Sequence, residues 1–307
     1  MSRGEYEMES GKESLLITGA SGFIGRNLRE SFLRDEYELL CPSSKDLNLI
    51  DETSVAKYFS EHRVDYVVHS ACMPGHRAAG NEGKVFYANT RMFFNLERQK
   101  HNYKRMLVIG SGAIYDNRNY RPKMKEEEYE EFLPVDEHGF SKYVCEKAIE
   151  NSDNIIDLRV FGIFGKYEEF RIRFISNLIC KALHSMPLTM NQNRKFDFLW
   201  IDDLIPVISK LLKKDSLKYK AYNVTPDSSE SLLNIAEYIQ SKINPRLEIQ
   251  VKQEGFGLEY SGLNHRLKSE LPDWKPTDLH LAINLLIEWY EKGLEQFPRE
   301  ALTSIDG

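Results

Sequence analysis

A short apolar strand followed at once by three glycines constrains the fold more than any other feature of this sequence. Residues 15–18 (Leu-Leu-Ile-Thr) precede Gly19, Gly22 and Gly25, and a helical pattern begins at Phe23. In that setting Gly19 permits a tight turn, Gly22 lets backbone amides approach a phosphate, and Gly25 lets the helix pack closely on the sheet. The free amides and the dipole of the helix start favour the diphosphate of a dinucleotide. The turn therefore predicts a site for a nicotinamide cofactor.

Strands and amphipathic helices alternate after this turn. The predicted strands are 37–41, 65–69, 105–110 and 155–160, and the predicted helices are 53–62, 85–101 and 141–151. Such alternation is typical of a parallel sheet that carries helices on both faces. We therefore predict an α/β fold with a doubly wound parallel sheet of the Rossmann type and a smaller C-terminal α/β substrate lobe.

The same pattern suggests how the chain is divided. We expect a flexible N-terminal extension at residues 1–13 and a dinucleotide-binding domain at 14–165, to which a strand near 220–225 returns. Residues 166–307 are expected to form mainly the substrate-binding lobe. The charged run 121–131 is interpreted as a solvated loop, with a flap over the substrate as the alternative.

Composition excludes several classes of protein. The 307 residues carry a formal charge of -6, which gives no basic field for nucleic acid. The four cysteines are widely spaced, so neither a disulfide framework nor a metal site is expected. No apolar run approaches the ~20 residues that a membrane span needs, and the polar first dozen residues lack a signal core. We therefore expect a cytoplasmic protein that binds no membrane.

The end of the second strand usually distinguishes NAD from NADP. Ser43, Ser44 and Lys45 offer two hydroxyls and a cation, which suit the 2′-phosphate of NADP. Asp46 follows directly and would suit the ribose hydroxyls of NAD if the strand were longer. The sequence favours NADP and leaves NAD open.

A tyrosine and a lysine four residues apart are predicted on the helix after the fourth strand. Tyr143 and Lys147 would share one face of that helix, and a nearby ammonium favours the phenolate form of a tyrosine. The pair could then donate and accept a proton near neutral pH. Ser111, at the end of the fourth strand, adds a hydroxyl where parallel sheets bind their ligands. We interpret Ser111, Tyr143 and Lys147 as the catalytic residues.

Several stretches match the motifs of one family in the family's order. They are Thr18–Gly25, Asp65–Ala71, Asn89 with Asn95–Leu96, Gly110–Tyr115, Tyr143–Lys147, Leu158–Gly165 and Asp197–Asp203. Between roughly residues 15 and 225 the chain thus resembles the extended short-chain dehydrogenase/reductase family, in its nucleotide-sugar epimerase/dehydratase group. The resemblance implies a nucleotide-sugar substrate, Tyr143 as the general acid/base and Lys147 as the ligand of the cofactor ribose. It also implies a homodimer packed through the helices that carry Asn95 and Tyr143.

Together these arguments predict two sets of contacts. The expected cofactor contacts are Gly19, Ser21, Gly22, Phe23, Ile24, Gly25, Ser43, Ser44, Lys45, Asp46, Leu47, Ala71, Asn89, Tyr143 and Lys147. The expected substrate contacts are Ser111, Ala113, Arg194 and Lys195. The last two are candidates for the substrate diphosphate, although the family often has an arginine at the position of Phe196.

Residues that this chain lacks limit the reactions that it is expected to catalyse. Dehydratases of the family carry an Asp-Glu pair at the positions where this chain has Gly112-Ala113. Epimerase-reductases similar to GDP-fucose synthase carry a cysteine at the position of Ala113 and a histidine further along the chain. In this chain the stretch 166–173 contains no histidine. Neither glycine nor alanine can move a proton at carbon. We therefore expect an enzyme of carbohydrate biosynthesis that reduces a nucleotide-linked 4-keto-(6-deoxy)hexose with NADPH, with Tyr143 as proton donor.

Two other functions remain open at this point. An NAD-dependent nucleotide-sugar 4-epimerase would use the same three residues and would oxidise and reduce one carbon in turn. A non-catalytic regulator that binds dinucleotide would be expected to have lost the Tyr-Lys pair, which this chain retains.

Overall fold

The computed structural model describes residues 11–75, residue 80 and residues 83–303. Residues 1–10, which make up most of the predicted N-terminal extension, lie outside the described residues. The first described strand begins at Ser14.

A six-stranded parallel sheet forms the centre of the described structure. The described strands are β1 (Ser14–Thr18), β2 (Glu38–Leu40), β3 (Tyr66–His69), β4 (Arg105–Ser111), β5 (Ile155–Val160), β6 (Leu188–Asn193), β7 (Lys195–Phe196), β8 (Ala221–Val224), β9 (Glu230–Ser231) and β10 (Ile249–Phe256). The order in the large sheet is β2-β1-β3-β4-β5-β8, with every pairing parallel. Strands β1 and β5 are buried along their whole length, as expected when helices cover both faces.

Helices pack on both faces of this sheet. They are α1 (Phe23–Glu30), α2 (Leu33–Glu36), α3 (Glu52–Glu61), α4 (Val85–Glu97), α5 (Glu137–Ile149), α6 (Phe174–Leu183), α7 (Ile201–Lys213), α8 (Leu232–Ile243), α9 (His265–Glu270), α10 (Leu279–Lys292) and α11 (Arg299–Thr303). One apolar cluster joins the sheet to Leu28 of α1 and Leu204 of α7. A second cluster joins it to Val55 of α3, Phe93 of α4 and Ile149 of α5. The predicted doubly wound Rossmann fold is therefore confirmed.

A smaller α/β lobe follows β5. In it β6 pairs in parallel with β10, and β7 pairs antiparallel with β9. Helices α6, α8 and α10 contribute Ile179, Ile235 and Leu286 to the first apolar cluster. Strand β8 lies between these segments in the sequence, yet it pairs with β5 in the large sheet.

Helix α5 begins four residues before the start that the sequence predicts, so the predicted range 141–151 is wrong at that end. Asp136 precedes the helix, and its carboxylate accepts a hydrogen bond of 2.8 Å from the Gly139 amide. Such a cap stabilises a helix start because it satisfies an amide that has no partner within the helix. Gly139 lowers the helix propensity of this first turn, which hides the start in the sequence. The added turn contains His138.

The charged run 121–131 is only partly a solvated loop. Glu126 is 3% exposed, and its carboxylate accepts a hydrogen bond of 2.9 Å from the amide of Asn223 on β8. Tyr129 is buried as well. The interpretation as a solvated loop is therefore wrong for residues 126–130, which form a short 3₁₀ helix against the large sheet.

Among the described residues, no helix combines the length and the apolar character that crossing a membrane requires. The described part of the chain also holds no group of three or more His, Cys, Asp or Glu side chains placed to bind a metal ion. The cytoplasmic location and the homodimer stay predictions.

Candidate functional site

The glycine turn between β1 and α1 forms a cradle without side chains. Gly19 adopts a positive φ of 67°, and a Cβ atom there would lie 2.7 Å from the Cα atom of Ala71. A Cβ atom on Gly25 would lie 2.2 Å from the carbonyl oxygen of Gly19. Gly22 caps α1 without any side chain, and the first turn carries no acidic residue. The Gly22 amide closes the turn by donating to the Gly19 carbonyl at 2.9 Å. The amides at the start of α1 have no partner within the helix, so the cradle fits the diphosphate of NAD(P).

The loop after β2 uses two of the predicted cofactor contacts for its own structure. The Ser43 hydroxyl donates a hydrogen bond of 2.6 Å to the Asp46 carboxylate, and the Ser43 amide donates a second of 3.1 Å. These bonds lower the pKa of Asp46. Leu47 packs in the second apolar cluster. Lys45 and Ser44 are exposed beside the turn, and preference for NADP over NAD stays a prediction.

The chain after β3 is fixed next to the glycine turn. The Ala71 amide donates a hydrogen bond of 3.2 Å to the hydroxyl of Thr18 at the end of β1. Asn89 on α4 is buried, and its side-chain amide accepts from the Met73 amide at 2.7 Å and donates to the Met73 carbonyl at 3.2 Å. Asn89 therefore holds this segment in place beside the cradle.

Ser111 lies at the carboxyl end of β4, as expected, and a tyrosine from the C-terminal lobe reaches it. The Ser111 hydroxyl accepts a hydrogen bond of 3.1 Å from the Ala113 amide and hydrogen bonds with Tyr260. A Cβ atom on Gly112 would lie 2.4 Å from the Tyr260 hydroxyl oxygen, so glycine makes room for it. Burial raises the pKa of Tyr260 well above its ordinary value, which keeps the hydroxyl protonated. The sequence analysis missed Tyr260 because it lies beyond the recognised motifs.

The two predicted diphosphate contacts differ in their surroundings. Arg194 is half-buried and close enough to Tyr120 to lower the pKa of that tyrosine, although burial is the larger effect and raises it. The ring of Tyr120 in turn lies 4.7 Å from the ring of Tyr260. Lys195 is exposed on β7.

Tyr143 and Lys147 lie on the face of α5 that meets the 3₁₀ helix. The Lys147 ammonium forms ion pairs with Glu130 and Glu150 and lies 5.0 Å from the centre of the Tyr129 ring. Burial lowers the pKa of Lys147, but the hydrogen bonds to Glu130, Tyr129 and Glu150 raise it more strongly. The Tyr143 ring packs on Tyr129, with centres 5.6 Å apart. The catalytic roles of Tyr143 and Lys147 stay predictions, and these contacts do not bring the pair to Ser111.

Another pair with the same spacing, His138 and Lys142, faces the strand ends. The Lys142 ammonium donates a hydrogen bond of 2.9 Å to the Ile109 carbonyl of β4. Nδ1 of His138 lies 3.9 Å from the sulfur of Cys72, which follows β3. A Cβ atom on Gly75 would lie 3.1 Å from the His138 Cβ atom, so glycine lets the imidazole pack closely. Sequence reasoning missed this pair because it started α5 at Ser141 and searched for a tyrosine.

A buried charged cluster lies behind these residues and joins α5 to β5. The Arg159 guanidinium contacts the Glu146 carboxylate at 2.8 Å and the Asp157 carboxylate at 3.1 Å. It also donates hydrogen bonds to the Tyr115 hydroxyl at 2.9 Å and to the Glu126 carbonyl at 2.7 Å. The cluster fixes α5 against the sheet and thereby orients both of its pairs.

Comparison with known proteins agrees with the resemblance found in the sequence. The model of the NAD dependent epimerase/dehydratase family matches residues 15–225. A putative UDP-glucose 4-epimerase from Methanocaldococcus jannaschii is 22% identical, over 90% of this chain and 97% of that protein. A GDP-L-colitose synthase from Yersinia pseudotuberculosis is 30% identical, but over only 33% of this chain and 34% of that protein.

Solved structures share the fold. A GDP-mannoheptose C4 reductase from Campylobacter jejuni with NADP bound has a TM-score of 0.80 and 20% identity, covering 92% of this chain and 99% of that one. A UDP-glucose 4-epimerase from Thermotoga maritima with UDP-glucose has a TM-score of 0.78 and 17% identity, with the same coverage. At these identities the likeness supports the fold, and it is equally good for reductases and epimerases.

Proposed function

The chain belongs to the NAD dependent epimerase/dehydratase family, and we propose that it is an NADP-dependent reductase of a nucleotide-linked 4-keto-hexose, 6-deoxyhexoses included. The observation that carries this proposal is that two features lie at the same edge of the sheet. The glycine cradle after β1 fits a dinucleotide diphosphate, and the Ser111 hydroxyl stands at the end of β4. Open parallel sheets bind cofactor and substrate at this edge.

Residues of this chain could bind both charged parts of the cofactor, the diphosphate and the 2′-phosphate. The amides at the start of α1 would hold the diphosphate, and Lys45 with Ser44 would hold a 2′-phosphate. NADPH, when bound there, supplies the hydride. Ser111 would then donate a hydrogen bond to the substrate oxygen, which stabilises the negative charge that develops on it.

Two further observations favour reduction at one carbon. Gly112 and Ala113, which follow Ser111, carry no group that could move a proton at carbon. Among the similar proteins of known structure, one is named as a GDP-mannoheptose C4 reductase. The sugar and the nucleotide would be selected by the C-terminal lobe, which lies mainly beyond the matched region.

An NAD-dependent 4-epimerase is the second candidate, and one observation favours it. The Asp46 carboxylate follows β2 closely and is ionised by its bonds to Ser43, so it could accept hydrogen bonds from ribose hydroxyls. The putative UDP-glucose 4-epimerase from Methanocaldococcus jannaschii also matches along 90% of this chain.

The experiment measures NADPH oxidation by the purified protein with GDP-, dTDP-, UDP- and CDP-linked 4-keto sugars. We expect the enzyme to reduce one of these sugars and to oxidise one NADPH for each sugar reduced. Ser111→Ala should lower kcat about 10²–10³-fold. His101→Gln, an exposed change in the short 3₁₀ helix Lys100–Asn102 that follows α4, is the control. In a parallel assay with NAD⁺ and nucleotide-linked hexoses that carry a C4 hydroxyl, interconversion of the 4-epimers without net change of the cofactor would establish the epimerase instead. NADP binding without turnover of any sugar would reject both enzymes.

A further inference from the structure

We propose that His138 moves the proton in this reaction, with Lys142 and Cys72 fixing its charge and orientation. The proposal rests on the proposed hydride transfer, and it names the residue that gives the substrate oxygen its proton. It replaces the expected phenol of Tyr143 with an imidazole. No motif in the sequence pointed to this residue.

Contacts from two strand ends locate His138 within the site. Cys72 lies next to Ala71, which packs on Gly19 of the cofactor cradle. Gly139, the next residue of α5, is so close to the chain after Ser111 that a Cβ atom on it would lie 2.5 Å from the Ala113 carbonyl oxygen. His138 therefore lies between the end of β3 and the end of β4, where cofactor and substrate would meet.

The spacing of His138 and Lys142 gives the helix a proton carrier and a fixed cation on one face. Residues four apart on a helix lie above one another. The bond from Lys142 to the Ile109 carbonyl holds the ammonium near the imidazole. Because Nδ1 of His138 faces the Cys72 sulfur, Nε2 is the ring nitrogen that remains for a substrate oxygen.

Four groups around His138 set its protonation. Burial, with a smaller effect of the Lys142 ammonium, lowers the pKa of His138 to about 4. Asp136, before the helix, raises the pKa, while Arg173, before α6, lowers it. The Cys72 sulfur, 3.9 Å from Nδ1, is the fourth neighbour. At neutral pH the imidazole is therefore uncharged and can accept a proton.

The proton and the hydride balance in both directions. In reduction the carbonyl carbon gains a hydride, the electron pair of the C=O bond moves to oxygen, and that oxygen takes the Nε2 proton of the imidazolium. The imidazole then regains a proton from solvent, and one NADPH becomes NADP⁺. In oxidation the neutral imidazole takes the hydroxyl proton as the carbon loses its hydride to NADP⁺.

This assignment predicts a characteristic pH dependence. Reduction needs the imidazolium, and the pKa of His138 is about 4, so kcat/KM for reduction should already be falling near pH ~5 and should keep falling through neutrality. Oxidation needs neutral imidazole and should be constant over the same interval. A tyrosine, whose ordinary pKa is about 10, would instead keep reduction active well into the alkaline range.

The test compares His138→Gln, His138→Tyr and Tyr143→Phe in the full chain, on whichever of the proposed reactions the wild type performs. We expect His138→Gln to lower kcat about 10²–10⁴-fold while NADP⁺ affinity, measured by calorimetry, stays within about twofold. His138→Tyr should recover part of the activity and move the pH profile to higher pH. If His138→Gln stays within about threefold of wild type, or if Tyr143→Phe shows the large loss instead, the proposal is overturned.

A second readout does not depend on turnover. In protein with isotope-labelled histidine, the NMR resonance lost in His138→Gln should titrate near pH 4 in the free protein, and NADP⁺ should shift it. The exposed His101 should not respond to NADP⁺. An unresponsive His138 would place it outside the site and overturn the proposal. The identity of the wild-type reaction tests the reductase separately, because the variants are compared on the reaction that is observed.

Discussion

Replacing Arg159 with methionine should lower the free energy of unfolding by about 3–5 kcal/mol, the usual cost of removing one partner from a buried ion pair. Arg159 is 1% exposed, and its guanidinium is shared by the Glu146 and Asp157 carboxylates at 2.8 and 3.1 Å. Methionine keeps much of the volume but leaves both carboxyl groups buried without their cation. It also removes the donor to the Tyr115 hydroxyl and the Glu126 carbonyl.

The loss should depend on pH through Glu146. Burial and then the neighbouring Asp157 raise the pKa of Glu146 to about 8, against the opposing effect of Arg159. Without Arg159 this pKa should rise more. A carboxyl group with a raised pKa in the folded state supports the fold below its unfolded pKa, and this support is lost as the pH rises through the folded pKa. The deficit of the variant should therefore be small near pH ~5 and largest near pH ~9.

Urea unfolding, followed by circular dichroism at both pH values, measures this deficit. The double variant Arg159→Met/Glu146→Gln is the matched control, since it removes the nearest uncompensated carboxyl group. It should recover part of the stability near pH ~9 and little near pH ~5. A deficit below about 1 kcal/mol near pH ~9, or an equal deficit at the two pH values, would refute the reasoning.

Two glycine substitutions test the site itself. Gly25→Ala should weaken NADP⁺ binding at least about tenfold, because its Cβ atom would lie 2.2 Å from the Gly19 carbonyl oxygen and displace the cradle. Unchanged affinity in a calorimetric titration of the folded variant would contradict this prediction. Gly112→Ala should lower kcat about tenfold with little change in KM, since its Cβ atom would lie 2.4 Å from the Tyr260 hydroxyl oxygen. Adding Tyr260→Phe should restore the melting temperature but not kcat, and recovery of both in the steady-state assay would show that Tyr260 only fills space.

The sheet and the cradle could be predicted because their signals are local. An apolar strand, a glycine turn and a helix follow one another between Ser14 and Glu30, and each signal needs only its neighbours. The buried strands β4 and β5 are equally easy to predict from the sequence, because strands covered on both faces are apolar throughout. Such patterns fix the order of elements, but they do not fix which side chains meet.

The proton-transfer side of the site could not be predicted by spacing. Helix α5 carries two pairs four residues apart, and both have residue types suited to acid/base chemistry. The choice between them depends on which face of α5 meets the sheet, and the buried contact between Arg159 and Glu146 decides that. This contact joins two elements and leaves no local signal. Tyr260 is a similar case, because its approach to Ser111 depends on how the C-terminal lobe packs.

The path of the chain through β8 has a consequence for how such enzymes could diversify. Strand β8 completes the large sheet beside β5, but part of the smaller lobe, including α6, β6 and β7, precedes it in the sequence. A recombination event that exchanged everything after β5 would therefore exchange the last strand of the large sheet as well. New sugar specificities are easier to reach by substitutions and loop insertions within the lobe, which leave β8 and the dinucleotide cradle in place.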